Sequence, residues 1–470
     1  MAVRRFDQES RQTGMNALTA RADHSFETWI EPREITMSAA ATQSAAADGA
    51  AVALLAPAHG GTGFSRTFHD WQKWIVVAAA TFGMMGAFGV GTSVAVFLKP
   101  FEAEFGWLRA DISFAYALLS AGAALGGIVA GRTIDAIDTR PIVVFGALVT
   151  AAGLVVLSWQ NDLATIQRIY LVIGVFGFAC LYTPLIATVG LWFERGRGLA
   201  IGIVTAGGTL GQAIAPLILQ PLIATFGWRE AYLFLGIGYF ALLVPAMLLV
   251  TKPPAASKRP GATAEKASWS LPPIASVGWL GVAAIFCCVA MAVPIVHLMA
   301  LALDRGYSPA VAGSLLTTVM LAGSVGRIAF GMIADRLGGL RSYVLASAAQ
   351  TATVYWFVEL QSLPSLYLLA ALFGFGYSGV MTALLLSVRE AVPARSAGIA
   401  TATVTLLAWI GMGLGGYQGG HCFDVTGSYS LSFANAAFAG MANLVIIAGL
   451  ALHLRLHASA TDRQRAQVRA

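Results

Sequence analysis

Residues 331–341 read GMIADRLGGLR, and residues 131–140 read GRTIDAIDTR. In both stretches a glycine is followed four positions later by an aspartate, Asp135 in the first copy and Asp335 in the second, with arginines close behind. The two copies are 200 residues apart, and each lies between long apolar stretches. A pair of such charged loops at matched places indicates a duplicated membrane protein.

The same spacing of 200 residues recurs along the chain. The positions that match at this offset are glycines, an aspartate and an arginine. They are Gly106 and Gly306, Gly126 and Gly326, Gly131 and Gly331, Asp135 and Asp335, Gly174 and Gly374, Arg195 and Arg395, Gly198 and Gly398, Gly211 and Gly411, and Gly227 and Gly427. A constant offset across loops and helices predicts two similar halves in parallel, as in many secondary transporters.

The composition is typical of a membrane protein. Hydrophobic residues make up 57% of the 470 residues and charged residues only 11%, whereas soluble domains contain roughly 25% charged residues. A helix needs about 20 apolar residues to cross a bilayer. Twelve stretches meet this need approximately, at 72–98, 111–131, 140–159, 166–192, 197–221, 228–250, 275–302, 309–333, 342–360, 363–388, 396–420 and 430–454. We therefore predict an all-α membrane protein whose twelve transmembrane helices form two six-helix, pseudo-symmetric bundles.

The spans and the polar segments between them divide the chain into five parts. These are an N-terminal tail at 1–70, an N-terminal bundle at 71–250, a linker at 251–273, a C-terminal bundle at 274–454 and a basic tail at 455–470. The first tail reads as flexible, contains no apolar signal-peptide core, and leaves Met37 as an alternative start. The linker is hydrophilic and rich in Pro, Lys, Ala and Ser.

Basic residues are concentrated on one side of the predicted membrane protein. If the N-terminus is cytoplasmic, the inner loops contain twelve Lys and Arg residues, and the outer loops contain Lys99, Arg109, Arg229 and Arg305. The positive-inside rule then predicts both termini on the cytoplasmic side of the cell (inner) membrane. This distribution also explains the formal charge of +6 without a nucleic-acid partner. No phosphate-binding motif, metal-ligand cluster or nucleophile with a base is found, so neither an enzyme nor a cofactor is expected.

Four further stretches narrow the prediction. They read FGWLRADIS at 105–113, WFERGRGLAIG at 192–202, FGWREAY at 226–232 and GRIAFG at 326–331. These stretches resemble the bacterial branch of the monocarboxylate transporter family, which extends toward the oxalate/formate antiporters within the major facilitator superfamily. The resemblance implies a carrier that moves a small organic anion, most simply a monocarboxylate, by alternating access with proton symport or exchange, and that works as a monomer.

The two charged loops resemble the superfamily's loop signature, which implies a latch on the cytoplasmic side. The aspartate accepts hydrogen bonds from a neighbouring helix N-terminus and pairs with an arginine, and this contact must break when that side opens. The latch residues would be Asp135, Arg140, Asp335, Arg336 and Arg341. The first copy departs from the signature, with Asp138 in place of glycine and Thr139 in place of arginine, so we expect different contacts there.

Arg327 is the residue most strongly predicted to bind substrate. It lies eight residues before Asp335, which places it about 12 Å inside the membrane at 1.5 Å per helical residue. A guanidinium at that depth is costly unless paired, and its planar fork matches a carboxylate. The first half has Gly127 at the matching position. In the family that the chain resembles, an arginine here binds the substrate carboxylate; snorkelling or pairing with another residue is the alternative.

Four other residues are candidates for the substrate site. Tyr182 in span 4 and Tyr377 in span 10 offer hydroxyls and rings to a ligand, or else pack. His297 in span 7 is a candidate to gate or carry a proton, or else bonds to backbone. Thr92 stands where human-type carriers have a lysine, and Gly323 stands where they have an acidic residue, so the resemblance does not establish their mode of proton coupling for this chain. Span 11 also contains no lysine, which argues against a dicarboxylate substrate.

Two other functions stay open on sequence alone. A carrier or exporter of the same fold for a drug or a neutral compound would differ in whether Arg327 faces the cavity and whether anions compete. A sensor that binds a ligand without transporting it would differ in showing no counterflow.

Overall fold

The computed structural model describes residues 63–193, 197–252, 269, 271–393 and 396–469, with side chains except at 63–70, 134–136, 197–198 and 457–469. Met37 and all but the last eight residues of the predicted N-terminal tail lie outside the described residues. So do most of the predicted linker, Arg195 and Arg395 of the repeat, and the side chains of Asp135 and of residues 457–470 in the basic tail. The described part of the chain is helical throughout, apart from short connections.

The described part of the chain forms twelve long helices, which we number in chain order. They are α1 Gly63–Phe105, α2 Arg109–Ala136, α3 Thr139–Leu157, α4 Leu163–Trp192, α5 Arg197–Phe226, α6 Trp228–Leu248, α7 Pro273–Asp304, α8 Pro309–Leu337, α9 Gly339–Val354, α10 Leu363–Ala391, α11 Ala397–Thr426 and α12 Ser430–Arg469. Helices α4 and α6 each contain a π-helical stretch, at Ile173–Phe178 and Tyr239–Leu243. Helix α12 continues past position 454, where its span was predicted to end.

Eleven of these helices are long and apolar enough to span a membrane, and α9 is not. The predicted ninth span is interrupted, because α9 ends at Val354 and a separate turn, Trp356–Glu359, follows. Polar residues also lower its hydropathy. One of them, Gln350, is buried and donates from Nε2 to the carbonyl oxygen of Cys287 in α7 at 3.0 Å. This polar side chain of α9 therefore makes a contact inside its bundle and does not face the membrane.

The two bundles use the same glycine contacts, which confirms the pseudo-symmetric fold. A Cβ added at Gly126 would lie 2.2 Å from the carbonyl oxygen of Val175, and one added at Gly326 would lie 2.2 Å from that of Phe375. Two more pairs behave alike: Gly174 against Leu119 with Gly374 against Val319, and Gly211 against Met85 with Gly411 against Ile285. Each pair of partners is again 200 residues apart. Small residues therefore set equivalent helix crossings in both halves.

The departure of the first loop copy from the signature has a local explanation. Gly338, after α8, has φ +83°, a conformation that glycine adopts without strain. Asp138 at the matching place has φ −62°, and its carboxylate accepts from the Thr139 amide, so it caps α3. The two loops therefore start their next helices differently.

The two bundles meet along two equivalent helix pairs, α2 with α11 and α5 with α8. We call the membrane face at which α1 begins the terminal face and the other the opposite face. Since the helices alternate in direction, α2 and α8 begin at the opposite face, whereas α5 and α11 begin at the terminal face. The cavity described next lies between these helix pairs.

Candidate functional site

A cavity of about 700 Å³ lies between the two bundles. Side chains from both halves line it, including Phe88 and Tyr182 from the first and Arg327 and Trp409 from the second. Its lining continues to residues near the terminal face, namely Leu199 at the start of α5, Asp335 near the end of α8 and Arg389 near the end of α10. The cavity therefore extends from the middle of the membrane domain toward the terminal face.

Arg327 lines this cavity, and it connects the two bundles. Its Nε donates to the Ser378 hydroxyl in α10 at 2.9 Å, and its Nη1 donates to the carbonyl oxygen of Thr205 in α5 at 2.8 Å. No carboxylate in the described residues forms an ion pair with it. The guanidinium is thus held in place by neutral acceptors while its charge faces an open cavity.

Tyr377 and Ser378 of α10 fill the space next to Gly323 of α8, one turn before Arg327. A Cβ on Gly323 would lie 3.1 Å from the Tyr377 ring and 3.2 Å from the Ser378 Cβ. Tyr377 donates its hydroxyl to the Met320 sulfur at 2.9 Å. Ring and serine therefore occupy the space beside Arg327 that a carboxylate would need, and the arginine charge is left without a fixed counter-ion.

Both predicted tyrosines line the cavity. The Tyr182 hydroxyl has no hydrogen-bond partner in the described residues, and the buried Ser120 hydroxyl, also in the lining, has none. Hydroxyls without partners, in the same cavity as a guanidinium that lacks an ion-pair partner among the described residues, are the kind of polar groups that orient a ligand in an otherwise apolar cavity.

Thr92 and His297, the other two predicted site residues, do not line the cavity. Thr92 is fully buried in α1 and donates to the carbonyl oxygen of Phe88 in its own helix at 3.4 Å. His297 is fully buried in α7, where its Nε2 lies 2.8 Å from the carbonyl oxygen of Gly416 in α11, and its Nδ1 lies 3.2 Å from the Tyr429 hydroxyl. His297 therefore belongs to the contacts at the opposite face.

At the opposite face, an ion network joins the bundles, which we call the clasp: Lys99, Glu102, Arg109, Asp304, Asp424 and Tyr429. Arg109, only 2% exposed, bonds Glu102 on its own side. Across the interface it bonds both carboxylate oxygens of Asp304 in α7, at 2.5 and 2.8 Å, and the Tyr429 hydroxyl at 2.9 Å. Lys99 also reaches Asp304, at 3.0 Å.

The clasp also satisfies the N-terminus of α2. The Asp424 carboxylate, near the end of α11, accepts from the backbone amides of Arg109 at 3.0 Å and Ala110 at 2.7 Å. An acidic group at a helix N-terminus satisfies orphan amides and complements the helix dipole. Because Asp424 belongs to the other bundle, this cap exists only while the opposite face is closed.

A chain of hydrogen bonds leads from the clasp to His297. Burial raises the pKa of the Tyr429 hydroxyl, so this group keeps its proton. Arg109 donates to the Tyr429 oxygen, Tyr429 then donates to His297 Nδ1, and His297 Nε2–H donates to the Gly416 carbonyl. Every role is consistent with a neutral imidazole protonated at Nε2, a tautomer that we assign from these partners.

The predicted latch residues whose side chains are described, Arg140, Asp335, Arg336 and Arg341, lie near the terminal face. Asp335 is exposed and lines the cavity, and Arg336 and Arg341 are exposed. Arg140 bonds the Val250 carbonyl at 3.3 Å, inside its own bundle. In the second loop the amide of Gly339 at the start of α9 is satisfied by Glu390 of α10 at 2.7 Å, not by Asp335. Among the described residues, no latch ion pair forms.

Sequence reasoning missed the clasp and several aromatic residues that line the cavity, among them Phe88, Phe178 and Trp409. Arg109 and Lys99 were counted only as outer-loop charges. A sequence signal was available, because Arg109 is the first residue of one span and the acidic Asp304 is the last residue of another. Phe88 and Trp409 gave no signal, since nearly every face of these helices is apolar.

Comparison with known proteins agrees with this geometry. The model of the Major Facilitator Superfamily matches residues 75–295 and 278–470. Monocarboxylate transporter 13 of Bos taurus is 30% identical over 77% of this chain and 85% of its own, and monocarboxylate transporter 12 of Homo sapiens is 25% identical over 80% and 79%.

Solved structures show the same fold. The nucleoside transporter NupG superimposes with a TM-score of 0.65 at 12% identity, over 80% of this chain and 99% of its own. A bacterial homologue of the human lysosomal transporter Spinster, crystallised in an inward-facing and occupied conformation, gives 0.62 at 16% identity, over 82% and 96%. The chain is therefore a multi-pass membrane transporter of small solutes, not an enzyme, and it belongs to the monocarboxylate transporter family of the Major Facilitator Superfamily.

Proposed function

We propose that this protein transports a small organic monocarboxylate by alternating access, with proton symport or exchange as its source of energy. The observation behind the proposal is Arg327. Its guanidinium lies in the cavity between the bundles, is oriented by Ser378 and Thr205, and has no carboxylate partner among the described residues. A substrate carboxylate would supply that missing counter-charge.

The cost of an unpaired cation supports this choice of substrate. A charged group inside a membrane protein is destabilising unless it is paired or hydrated, so such a group is a functional candidate by default. A carboxylate accepts two parallel N–H bonds from a guanidinium, and the charge assistance makes these bonds strong. The described lining contains one other cation, Arg389, and one carboxylate, Asp335, both near the terminal face. At Arg327 itself a monocarboxylate balances the single charge, and a dicarboxylate leaves one negative charge over.

The arrangement of the bundles supports alternating access. The clasp closes the opposite face, and the cavity reaches toward the terminal face, where Asp335 makes no ion pair in the described part of the chain. In our proposal the terminal face is cytoplasmic, because twelve Lys and Arg residues fall in its loops and four in the others. The conformation is then open to the cytoplasm, and Asp335 with Arg336 and Arg341 would form the latch in the reverse state.

The proposal places the transporter in the cell (inner) membrane with both termini in the cytoplasm, working as a monomer. Each bundle is complete within one chain, and the cavity is formed by the two bundles of that chain. No second copy is needed to build the site.

The test is ligand-induced thermal stabilisation of the purified protein. A panel of monocarboxylates and the matching neutral amides would be added to the wild type and to Arg327→Gln, because a ligand that binds only the native state raises the melting temperature. Arg168→Gln is the control, since Arg168 lies outside the cavity, 72% exposed at the side chain, and its loss changes the net charge equally. We expect stabilisation by monocarboxylates that survives in Arg168→Gln and disappears in Arg327→Gln.

Two results would contradict the proposal. Stabilisation by amides or cations in both arginine variants, with no response to any carboxylate, would point instead to a carrier for neutral or drug-like compounds. Carboxylate binding without substrate counterflow in proteoliposomes would identify a sensor rather than a transporter.

A further inference from the structure

Four aromatic side chains form one wall of the cavity. Phe88 of α1, Phe178 and Tyr182 of α4 and Trp409 of α11 all line it, and we call them the aromatic wall. Their ring centroids are 5.0 to 6.3 Å apart, with Phe178 lying 5.0 Å from both Phe88 and Trp409. Three rings come from the N-terminal bundle and Trp409 comes from the other, so the wall crosses the interface.

The aromatic wall is not sealed into the core. Phe178 at its centre is 4% exposed, but Phe88, Tyr182 and Trp409 are each partly exposed. The π-helical stretch of α4 ends at Phe178, and such insertions re-aim the residues that follow them and recur at functional sites. Ring faces and edges are therefore available to a molecule in the cavity.

The aromatic wall lies close to the arginine. The Phe88 ring packs on Gly208 of α5, where an added Cβ would lie 2.8 Å from a ring carbon. Thr205, whose carbonyl accepts from Arg327, precedes Gly208 by three residues, which is about 4.5 Å along the helix axis. The guanidinium and the Phe88 ring thus contact α5 about one turn apart, within the reach of one small molecule that has a carboxylate at one end and a ring at the other.

We propose that this cavity selects monocarboxylates that contain an aromatic ring, with the carboxylate on Arg327 and the ring against the aromatic wall. This inference rests on the proposed function and names its substrate class. Aromatic rings attract one another in edge-to-face and offset arrangements beyond the gain from buried area alone, and a saturated ring of similar size lacks that term. The Tyr182 hydroxyl, which has no partner among the described residues, is a further hydrogen-bond donor for the substrate carboxylate.

The experiment compares three ligands of similar size: benzoate, cyclohexanecarboxylate and benzamide. Equilibrium dissociation constants would be measured by calorimetry on the purified protein. For the wild type we expect benzoate to bind about 3- to 10-fold more tightly than cyclohexanecarboxylate, the range that one aromatic contact of this kind supplies, and we expect benzamide to bind far more weakly than either.

Variants then locate the preference. Phe88→Leu and Trp409→Leu, tested separately, should bring the ratio of the two acids close to one while both acids still bind. Phe145→Leu is the matched control, because Phe145 is 49% exposed in α3 and lies outside the cavity, and it should keep the wild-type ratio. Arg327→Gln should abolish binding of both acids.

Failure of the inference can be told apart from failure of the proposed function. Equal binding of the two acids to the wild type, lost in Arg327→Gln, would leave a monocarboxylate carrier and overturn the aromatic preference. A wild-type preference that persists in both ring variants would also overturn it. Equal binding of benzamide and benzoate, unaffected by Arg327→Gln, would contradict the proposed function itself and with it this substrate class.

Discussion

Replacing Arg109 by glutamine should open the opposite face. In the closed form this nearly inaccessible guanidinium makes hydrogen bonds to Glu102 in its own bundle and to Asp304 and Tyr429 in the other. It also lies over the Phe423 ring, 3.7 Å from the centroid. Glutamine is uncharged and too short to reach the same partners. Arg109→Gln therefore removes the central cation of the clasp and leaves only Lys99 beside Glu102 and Asp304.

The size of the effect follows from burial. Breaking a fully buried ion pair costs about 3–5 kcal/mol, and one hydrogen bond to a charged group contributes about 1.5–3 kcal/mol. The side chains of Asp304 and Glu102 are 25% and 29% exposed, so water recovers part of the loss, and Lys99 neutralises one charge. We therefore expect about 2–3 kcal/mol. Because 1.4 kcal/mol corresponds to a factor of ten, the ratio of the closed form to the open form should fall by about 30- to 150-fold.

Hydrogen exchange at the start of α2 measures this equilibrium. The amides of Arg109 and Ala110 donate to Asp424 of the other bundle, so they exchange when the bundles separate at this face. Mass spectrometry of the peptide that covers this turn should show exchange about 30- to 150-fold faster in Arg109→Gln. The control is Arg229→Gln, because Arg229 pairs with Glu104 at 2.6 Å at the same face but inside one bundle.

Two outcomes would refute the reasoning. If Arg109→Gln leaves the exchange of this turn unchanged, the clasp does not hold the opposite face closed. If Arg229→Gln accelerates the same amides equally, the effect is a general loosening of the loops and not a change between the two bundles.

Three further predictions concern the same interfaces. Gly420→Ala would place a Cβ 2.6 Å from the Arg109 backbone, so it should push α11 from α2 at a cost of about 1–3 kcal/mol and speed exchange of the same turn; unchanged exchange would count against this crossing. Thr317→Val removes a hydroxyl that bonds the α5 backbone at 2.8 Å and should cost about 0.5–1.5 kcal/mol, read as a lower melting temperature, whereas Thr318→Val, which loses a bond within its own helix, should cost less. His297→Leu removes the buried hydrogen bonds to the Tyr429 hydroxyl and the Gly416 carbonyl and should destabilise the protein by about 1–3 kcal/mol; an unaltered melting temperature would exclude a structural role for this histidine.

Hydropathy and glycine spacing were enough to predict the fold, for a physical reason. A bilayer allows only a few solutions for the backbone, so long apolar stretches become helices, and a constant offset between glycines marks equivalent crossings. Gly126 and Gly326 show this directly, since each packs on the equivalent carbonyl of its own bundle, that of Val175 or Phe375. The ninth span was harder to predict because its polar residues make contacts inside the protein, such as the bond from Gln350 Nε2 to the Cys287 carbonyl, and hydropathy does not register such contacts.

The site was predictable only in part. Arg327 stood out because an isolated cation within a span is rare, and the structure places it in the cavity. His297 and Thr92 are also polar residues inside predicted spans, but the rotation of their helices directs their side chains to other partners. No periodicity reveals that rotation when all faces are apolar. Arg109 was hidden for a different reason: at the end of a span, a charge that closes an interface looks the same as one that sets topology.

The symmetric scaffold and the asymmetric charges have separate roles. The repeat gives α2 with α11 and α5 with α8 as equivalent interfaces about which the bundles can rock, yet Arg109 is matched by Pro309 and Arg327 by Gly127. The first interface therefore closes through an ion network, whereas the second combines the neutral hydrogen bonds of Thr317 and Ser324 with one bond from Arg327 to the Thr205 carbonyl. Under the proposed function, a carboxylate that takes this donor competes with a bond between the bundles. Substrate binding and the stability of one interface are then linked through a single side chain.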